Sequence, residues 1–264
     1  MTSLSSFHRD IAVKQLDKYI SSFSKYEKEG IYVSIEGLIG VGKTTLAKNI
    51  KDFLLKKGEK CILIEEEVNL DWLNAYISKP KEYASLFQIK RLCSTINAVT
   101  KMGQEVQIRK EYGTKVSCVG DRLPLGNFSF ALVHFISGNI SEDIFNLYGT
   151  ALADGGPFVY PDVILLLTPP KTAMKRIKER DRRGESSYTI DYLEKLDEST
   201  LFTMLYIWCS KIINIIPINY DKYRKTDEIV NILSLPKKDI SNMKSQIMTM
   251  NYDEMKSFIY SLSY

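Results

Sequence analysis

The chain predicts an α/β fold: a parallel five-stranded sheet flanked by helices, built as one domain over residues 1–264. Three observations carry that prediction. Short apolar runs at 31–35, 60–64, 116–119, 163–167 and 214–218 are separated by helix-length segments, the alternation that a parallel sheet needs. With 264 residues, 44% of them hydrophobic, the chain can bury a full core and shows no interdomain linker. Directly after the first run, Gly37-Leu38-Ile39-Gly40-Val41-Gly42-Lys43-Thr44 matches G-x4-G-K-[ST], a phosphate-binding loop.

Taken in order, residues 7–23 place Phe7, Ile11, Leu16, Ile20 and Phe23 at helical spacing, so residues 1–29 form a helical extension. Ile31, Val33 and Ile35 read as the first strand. Leu46, Ile50, Phe53 and Leu54 then recur at helical spacing until Lys56-Lys57-Gly58 supplies a basic last turn and a glycine stop. Between the second and third strands, Leu86, Ile89, Cys93 and Ile96 form one helical stripe, while Gln88, Leu92, Thr95 and Val99 form another. That pattern predicts a helix with two buried faces. After the fourth strand, Pro169-Pro170 opens a basic amphipathic helix. From Pro236 onward, Met243, Ile247, Met250 and Met255 predict short helices over residues 236–264 that cover the core or a second subunit.

Composition excludes several classes. A net charge of +4 is too small to argue for a nucleic-acid or membrane partner. Cys61, Cys93, Cys118 and Cys209 lie far apart with no C-x-x-C pair, so neither a zinc site nor a disulfide framework is predicted. The longest apolar stretches fall short of a membrane span, and Asp10, Asp17, Glu27 and Glu29 break the acid-poor pattern of a transit peptide. A soluble cytoplasmic protein is expected.

In a phosphate loop, backbone N–H groups wrap a polyphosphate, the lysine supplies a mobile positive charge and the hydroxyl reaches magnesium. Lys43 and Thr44 fill those positions, with Thr45 next in the helix. Further chemistry is expected at the C-terminal strand ends, which converge on the ligand in such sheets. Glu65-Glu66-Glu67-Val68 follows the second strand, and Asp121-Arg122 follows the third. An aspartate there can hold magnesium through water, and an arginine can bridge phosphate oxygens bidentately. Lys171 to Arg183 holds seven basic residues against two acidic ones, with Arg176 and Arg180 on one helix face and Arg182 and Arg183 just beyond. Such a run suits an arginine-rich lid that neutralises a triphosphate and excludes water. Gln88 and Thr95 offer polar edges to a base, and Phe128 and Phe130 could stack on one or pack in the core.

Together these features resemble the deoxynucleoside kinases, including the more distant herpesviral thymidine kinases, from about Ile31 to Leu201. The family's E-P-V-x-x-W motif is similar to Glu66-Glu67-Val68-Asn69-Leu70-Asp71-Trp72, with one extra residue and Glu for Pro. Matching through the valine makes Glu66 the base that takes the 5'-hydroxyl proton, whereas the tryptophan would choose Glu67 and the strand Glu65. The F-Q pair is Phe87-Gln88, whose glutamine would read the base, and Tyr76 would touch the sugar 3'-hydroxyl. The D-R-H motif resembles Asp121-Arg122-Leu123, with Leu in the third place. The lid motif R-x-x-x-R-x-R-x-x-E-S matches Arg176, Arg180, Arg182, Glu185 and Ser186 without a gap, and Glu185 would hold the 3'-hydroxyl. Base preference in the family turns on the positions of Thr95 and Asn127, an uncharged pair that decides nothing here.

The resemblance implies a P-loop kinase fold, ATP and Mg2+ as cofactors, a deoxynucleoside as substrate and a homodimer. It implies catalytic roles for Glu66, Arg122, Lys43, Arg176, Arg180 and Arg182, magnesium at Thr44 and Asp121, and substrate contacts from Trp72, Tyr76, Gln88, Thr95, Asn127, Phe128 and Glu185. Two rivals stand beside this reading. A thymidylate kinase-like enzyme would need extra basic residues for a phosphorylated acceptor, which Glu66 and Glu185 would repel. A catalytically inactive nucleotide-binding protein would bind ATP and form no product. A GTPase is excluded because no N-K-x-D motif occurs.

Overall fold

A computed structural model describes residues 4–22, 30–66, 68–111, 113, 115–155, 161–182 and 185–264. Phe23, Glu67, Arg183 and Gly184 lie outside the described residues, as does the side chain of Ser186. The chain runs α1 (Ser6–Ser21), β1 (Tyr32–Gly37), α2 (Lys43–Lys56), β2 (Lys60–Ile64), α3 (Leu70–Ser78), α4 (Pro80–Glu111), β3 (Val116–Asp121), α5 (Pro124–Ile136), α6 (Glu142–Asp154), β4 (Asp162–Leu167), α7 (Pro170–Arg180), α8 (Ile190–Cys209), β5 (Ile215–Asn219), α9 (Thr226–Ile232), α10 (Lys244–Ile247) and α11 (Tyr252–Ser261). The strands form one parallel sheet in the order β2-β3-β1-β4-β5. All five strands fall where the apolar runs predict them.

Both faces of the sheet are covered, which is why the strands read as near-continuous apolar runs. On one face Val33, Ile35, Ile164 and Leu166 meet Leu46, Ala47, Ile50 and Leu54 of α2 and Ile177 of α7. On the other, Val163, Leu165 and Leu167 pack with α1, α5, α6 and α8. The β1 residues that point to this second face include Ser34 and Glu36, both buried. A carboxylate there is costly and marks a site with a use for it.

One expectation about helix faces is corrected. In α4, Gln88, Leu92, Thr95 and Val99 are buried, but Leu86 and Cys93 are exposed and Ile89 and Ile96 only half-buried, so the helix buries one face. In α1, Ile11 and Leu16 are buried while Phe7 stands in solvent. The C-terminal segment does cover the chain's own core. Ile247, Met255 and Ile259 are fully buried, and the Arg9 guanidinium from α1 donates to the carbonyls of Ile247, Met248 and Met250 at 3.0, 3.0 and 2.6 Å. At the sheet edge, Tyr264 N donates to Pro217 O at 3.0 Å and Asn219 N to Tyr264 O at 3.3 Å. Among the described residues, no helix is long and apolar enough to cross a membrane.

Candidate active site

The C-terminal ends of β1, β2 and β3, with α4, α5, α7 and residues 185–188 ahead of α8, surround a cleft of about 360 Å3. Its floor is the loop between β1 and α2. Gly37, Gly40 and Gly42 all take positive φ, and Gly42 at +104° forms the N-cap of α2, so the first-turn N–H groups of that helix open toward the cleft. Leu38 and Val41 turn their side chains into the core, while Ile39, Gly40, Gly42, Lys43, Thr44 and Thr45 line the cavity. The Lys43 ammonium donates to the loop's own carbonyls, Leu38 O at 2.6 Å and Gly37 O at 3.2 Å. Burial, with the neighbouring Arg122 charge, pulls it down to about 7 against the Glu66, Asp121 and Glu36 carboxylates.

Glu66 enters the cleft at the end of β2, whereas Glu65 stays at the surface and pairs with Lys48 at 3.1 Å. The Glu66 carboxylate receives two guanidinium groups, Arg91 at 2.5 Å and Arg122 at 3.0 Å. Burial would raise its pKa, but Arg122, Arg91, Lys43 and Arg182 outweigh that and hold it below the usual range. At the end of β3, Thr44 Oγ1 donates to Asp121 Oδ2 at 2.5 Å. Asp121 Oδ1 is buried with no hydrogen-bond partner among the described residues. A hydroxyl and a half-satisfied carboxylate beside a phosphate cradle suit a hydrated magnesium ion.

Arg122 follows with φ of +58°, a left-handed conformation that a side chain rarely takes. Consecutive residues of β1 hold this turn. Ile35 O accepts from Arg122 N at 3.2 Å, Glu36 Oε1 accepts from Leu123 N at 2.9 Å, and Gly37 O accepts from Arg122 Nη2 at 3.3 Å. The guanidinium then lies over the Phe130 ring, 4.4 Å from its centroid. Burial pushes the Glu36 carboxyl up to about 7, against Arg122, the Ser34 hydroxyl, the Leu123 amide and Lys43.

Across the cleft, Arg180 and Arg182 pair with Glu185 at 2.5 and 3.5 Å. Arg176 instead ties α7 to the phosphate loop and the segment after β5, donating to Val41 O and Tyr220 O and to Asp221 O. All four residues line the cavity, as do Gln88 and Asn127.

Four expected substrate contacts sit elsewhere. Phe128 packs against Phe145 and Tyr148 in the core, and it is Phe130 that faces the cavity. Tyr76 is buried, stacks on Phe87 and shares a 2.8 Å hydrogen bond with His134 Nε2. Thr95 Oγ1 accepts from Asn127 Nδ2 at 2.7 Å and donates to Arg91 O at 2.9 Å, so it braces its neighbours. Trp72 lies under the Lys90 ammonium outside the cavity, where Val68, Leu73 and Phe87 form the wall. Sequence reasoning missed Arg91, Glu36 and Tyr188. The signal for Glu36 is an acid inside an apolar strand, and for Arg91 its position three residues after Gln88, nearly one helical turn.

The fold and cleft define a phosphate-loop phosphotransferase. The sequence profile described as deoxynucleoside kinase matches residues 33–241. The chain is 27% identical over 214 residues to a deoxyadenosine kinase of Dictyostelium discoideum, covering 80% of this chain and 81% of that one. It is 26% identical over 184 residues to a thymidine kinase of Ictalurid herpesvirus 1, covering 66% and 75%. A thymidylate kinase of Xanthomonas euvesicatoria is 27% identical over 178 residues, covering 67% and 72%. In fold it is similar to the deoxyadenosine kinase of M. mycoides, with a TM-score of 0.57 and 20% identity over 76% of this chain and 97% of that one. The chain belongs to the deoxynucleoside kinase family and is a deoxynucleoside kinase.

Proposed function

We propose that this kinase transfers the γ-phosphoryl group of ATP to the 5'-hydroxyl of a deoxyribonucleoside, with Glu66 as proton acceptor. The carrying observation is that Glu66, Arg122 and Glu185, scattered along the chain, line one cleft with the phosphate loop. The loop N–H groups and Lys43 would bind the donor phosphates. Thr44 directly and Asp121 through water would hold magnesium, which neutralises phosphate charge when bound. Glu66 stays ionised because two guanidinium groups face it, so it can accept the proton as the 5'-oxygen bonds to phosphorus and ADP leaves. Arg122, Arg180 and Arg182 would stabilise the charge spread over the transferring group, the largest lever in this chemistry. Arg176 would anchor the lid these arginines form. Gln88 and Asn127 would read the base, and Glu185 the sugar.

A thymidylate kinase-like reading draws on Arg91, a buried guanidinium at the acceptor end. Incubation with ATP, magnesium and each of the four deoxynucleosides, with thymidine monophosphate alongside, separates the readings. The Dictyostelium relative's activity puts deoxyadenosine first. A 5'-monophosphate from at least one nucleoside is expected. Product from thymidine monophosphate alone would transfer the assignment to that rival, and ATP binding without any product would make the protein inactive. We carry a homodimer and a cytoplasmic location as part of the reading, the former checked by sedimentation velocity and the latter by fractionation.

A further inference from the structure

We propose that Glu36 is a positioning residue for phosphoryl transfer: it caps α5 from the neighbouring strand and so holds Arg122 in the left-handed turn that aims it at Glu66. The inference rests on the reading above for the roles of Arg122 and Glu66, and on separate observations for Glu36. Helix α5 begins after Leu123, an N-cap residue with no side-chain oxygen, and continues with Pro124. Nothing local can cap it. Ser, Thr, Asp or Asn at such a position accepts a first-turn N–H, and an anion there is also favoured by the helix dipole. From β1 the Glu36 carboxyl accepts the N–H of the N-cap residue itself, as the acid of a capping box does, and sits at the positive end of the helix, with Oε1 accepting from Leu123 N at 2.9 Å and from Ser34 Oγ at 2.5 Å.

Room for that carboxylate has been made on the helix. A Cβ on Gly126, in the first turn of α5, would stand 1.8 Å from Glu36 Oε2 and 2.9 Å from Arg122 Cγ. Any larger residue would expel the carboxylate or shift the helix. Oε2 has no hydrogen-bond partner among the described residues, and it is Arg122, through space, that favours the ionised form against burial. A purely structural cap would not need a buried charge, since a neutral acceptor would satisfy the same N–H. Here the carboxyl of Glu36, 1% exposed and screened from water, sits beside Arg122, whose backbone is strained. Glu36 lies outside the cleft lining, so it acts through Arg122 and not on substrate.

The test compares steady-state kinetics of the full chain with its best nucleoside. Glu36→Ala should lower kcat about tenfold or more while nucleoside KM stays within about threefold, because Arg122 bears on the transferring group. Glu36→Gln, which keeps an oxygen for Leu123 N, should recover part of that loss. Gly126→Ala should reproduce the kcat loss by displacing the carboxylate, and it carries the test should Glu36→Ala not fold. Arg9→Ala, remote from the cleft, controls for general loosening. Wild-type kcat in both Glu36 variants would overturn the proposal, as would an equal kcat loss in Arg9→Ala at an equal drop in melting temperature. A wild-type protein inactive on every nucleoside would instead sink the functional reading beneath it.

Discussion

Lys43 shows how single residues store readiness in this cleft. Its ammonium is tied to the Leu38 and Gly37 carbonyls and lowered to about 7, so above that pH the unliganded site holds it largely neutral. Donor phosphates favour the charged form and raise its pKa again. Binding of Mg-ATP should therefore take up protons above pH 7, and affinity should fall toward tenfold per pH unit as pH rises further. Calorimetry in two buffers of different ionisation enthalpy measures that uptake, and proton release on binding would contradict it. Glu66 makes the complementary case. Glu66→Gln should cost about 10²- to 10⁴-fold in kcat, the usual worth of a positioned base, read in a coupled kinase assay. Glu65→Gln, at the surface pair with Lys48, should leave kcat near wild type.

At the scale of elements, the strands were legible because a sheet covered on both faces leaves continuous apolar runs, and the phosphate loop because its glycines and lysine are spaced by the ligand. The faces of α4 were not. Leu86 and Cys93 match a buried stripe in spacing, yet the neighbours that would cover them are absent from that side among the described residues. Phe128 and Phe130 illustrate the same blindness, since which of two aromatic residues faces a cavity depends on the pose of α5, set partly by a residue on another strand. Register by one residue likewise separated Glu65 from Glu66. The contact between α1 and the C-terminal segment is similarly non-local. Arg9→Ala would strand the carbonyls of Leu4, Ile247, Met248 and Met250, two of them buried and two half-buried, and lose the packing over Phe202, so it should destabilise the fold by about 3 kcal/mol in denaturant melts.

Over the whole molecule, pH links stability to a second carboxylate, far from any phosphate. Asp197 on α8 accepts from the Tyr252 hydroxyl of α11 at 2.7 Å, and burial raises its pKa to about 6. Its native pKa thus exceeds the unfolded value near 3.8, so the folded state holds its proton longer. The contribution of this one group to stability is full below about pH 4 and is lost as pH rises to about 6. Asp197→Asn, which keeps an acceptor for Tyr252, should remove that decline and gain about 1–2 kcal/mol at pH 7. Thermal melts from pH 4 to 8 would show parallel wild-type and variant curves if the linkage were wrong.

The pairing of Tyr264 with β5 bears on how the protein behaves at high concentration. An open flank of a sheet invites stacking by a neighbour's extended segment. By occupying Pro217 O and Asn219 N, Tyr264 denies part of that flank to other copies. Deleting it would offer a sticky border, and light scattering during concentration would rise before any loss of enzymatic turnover.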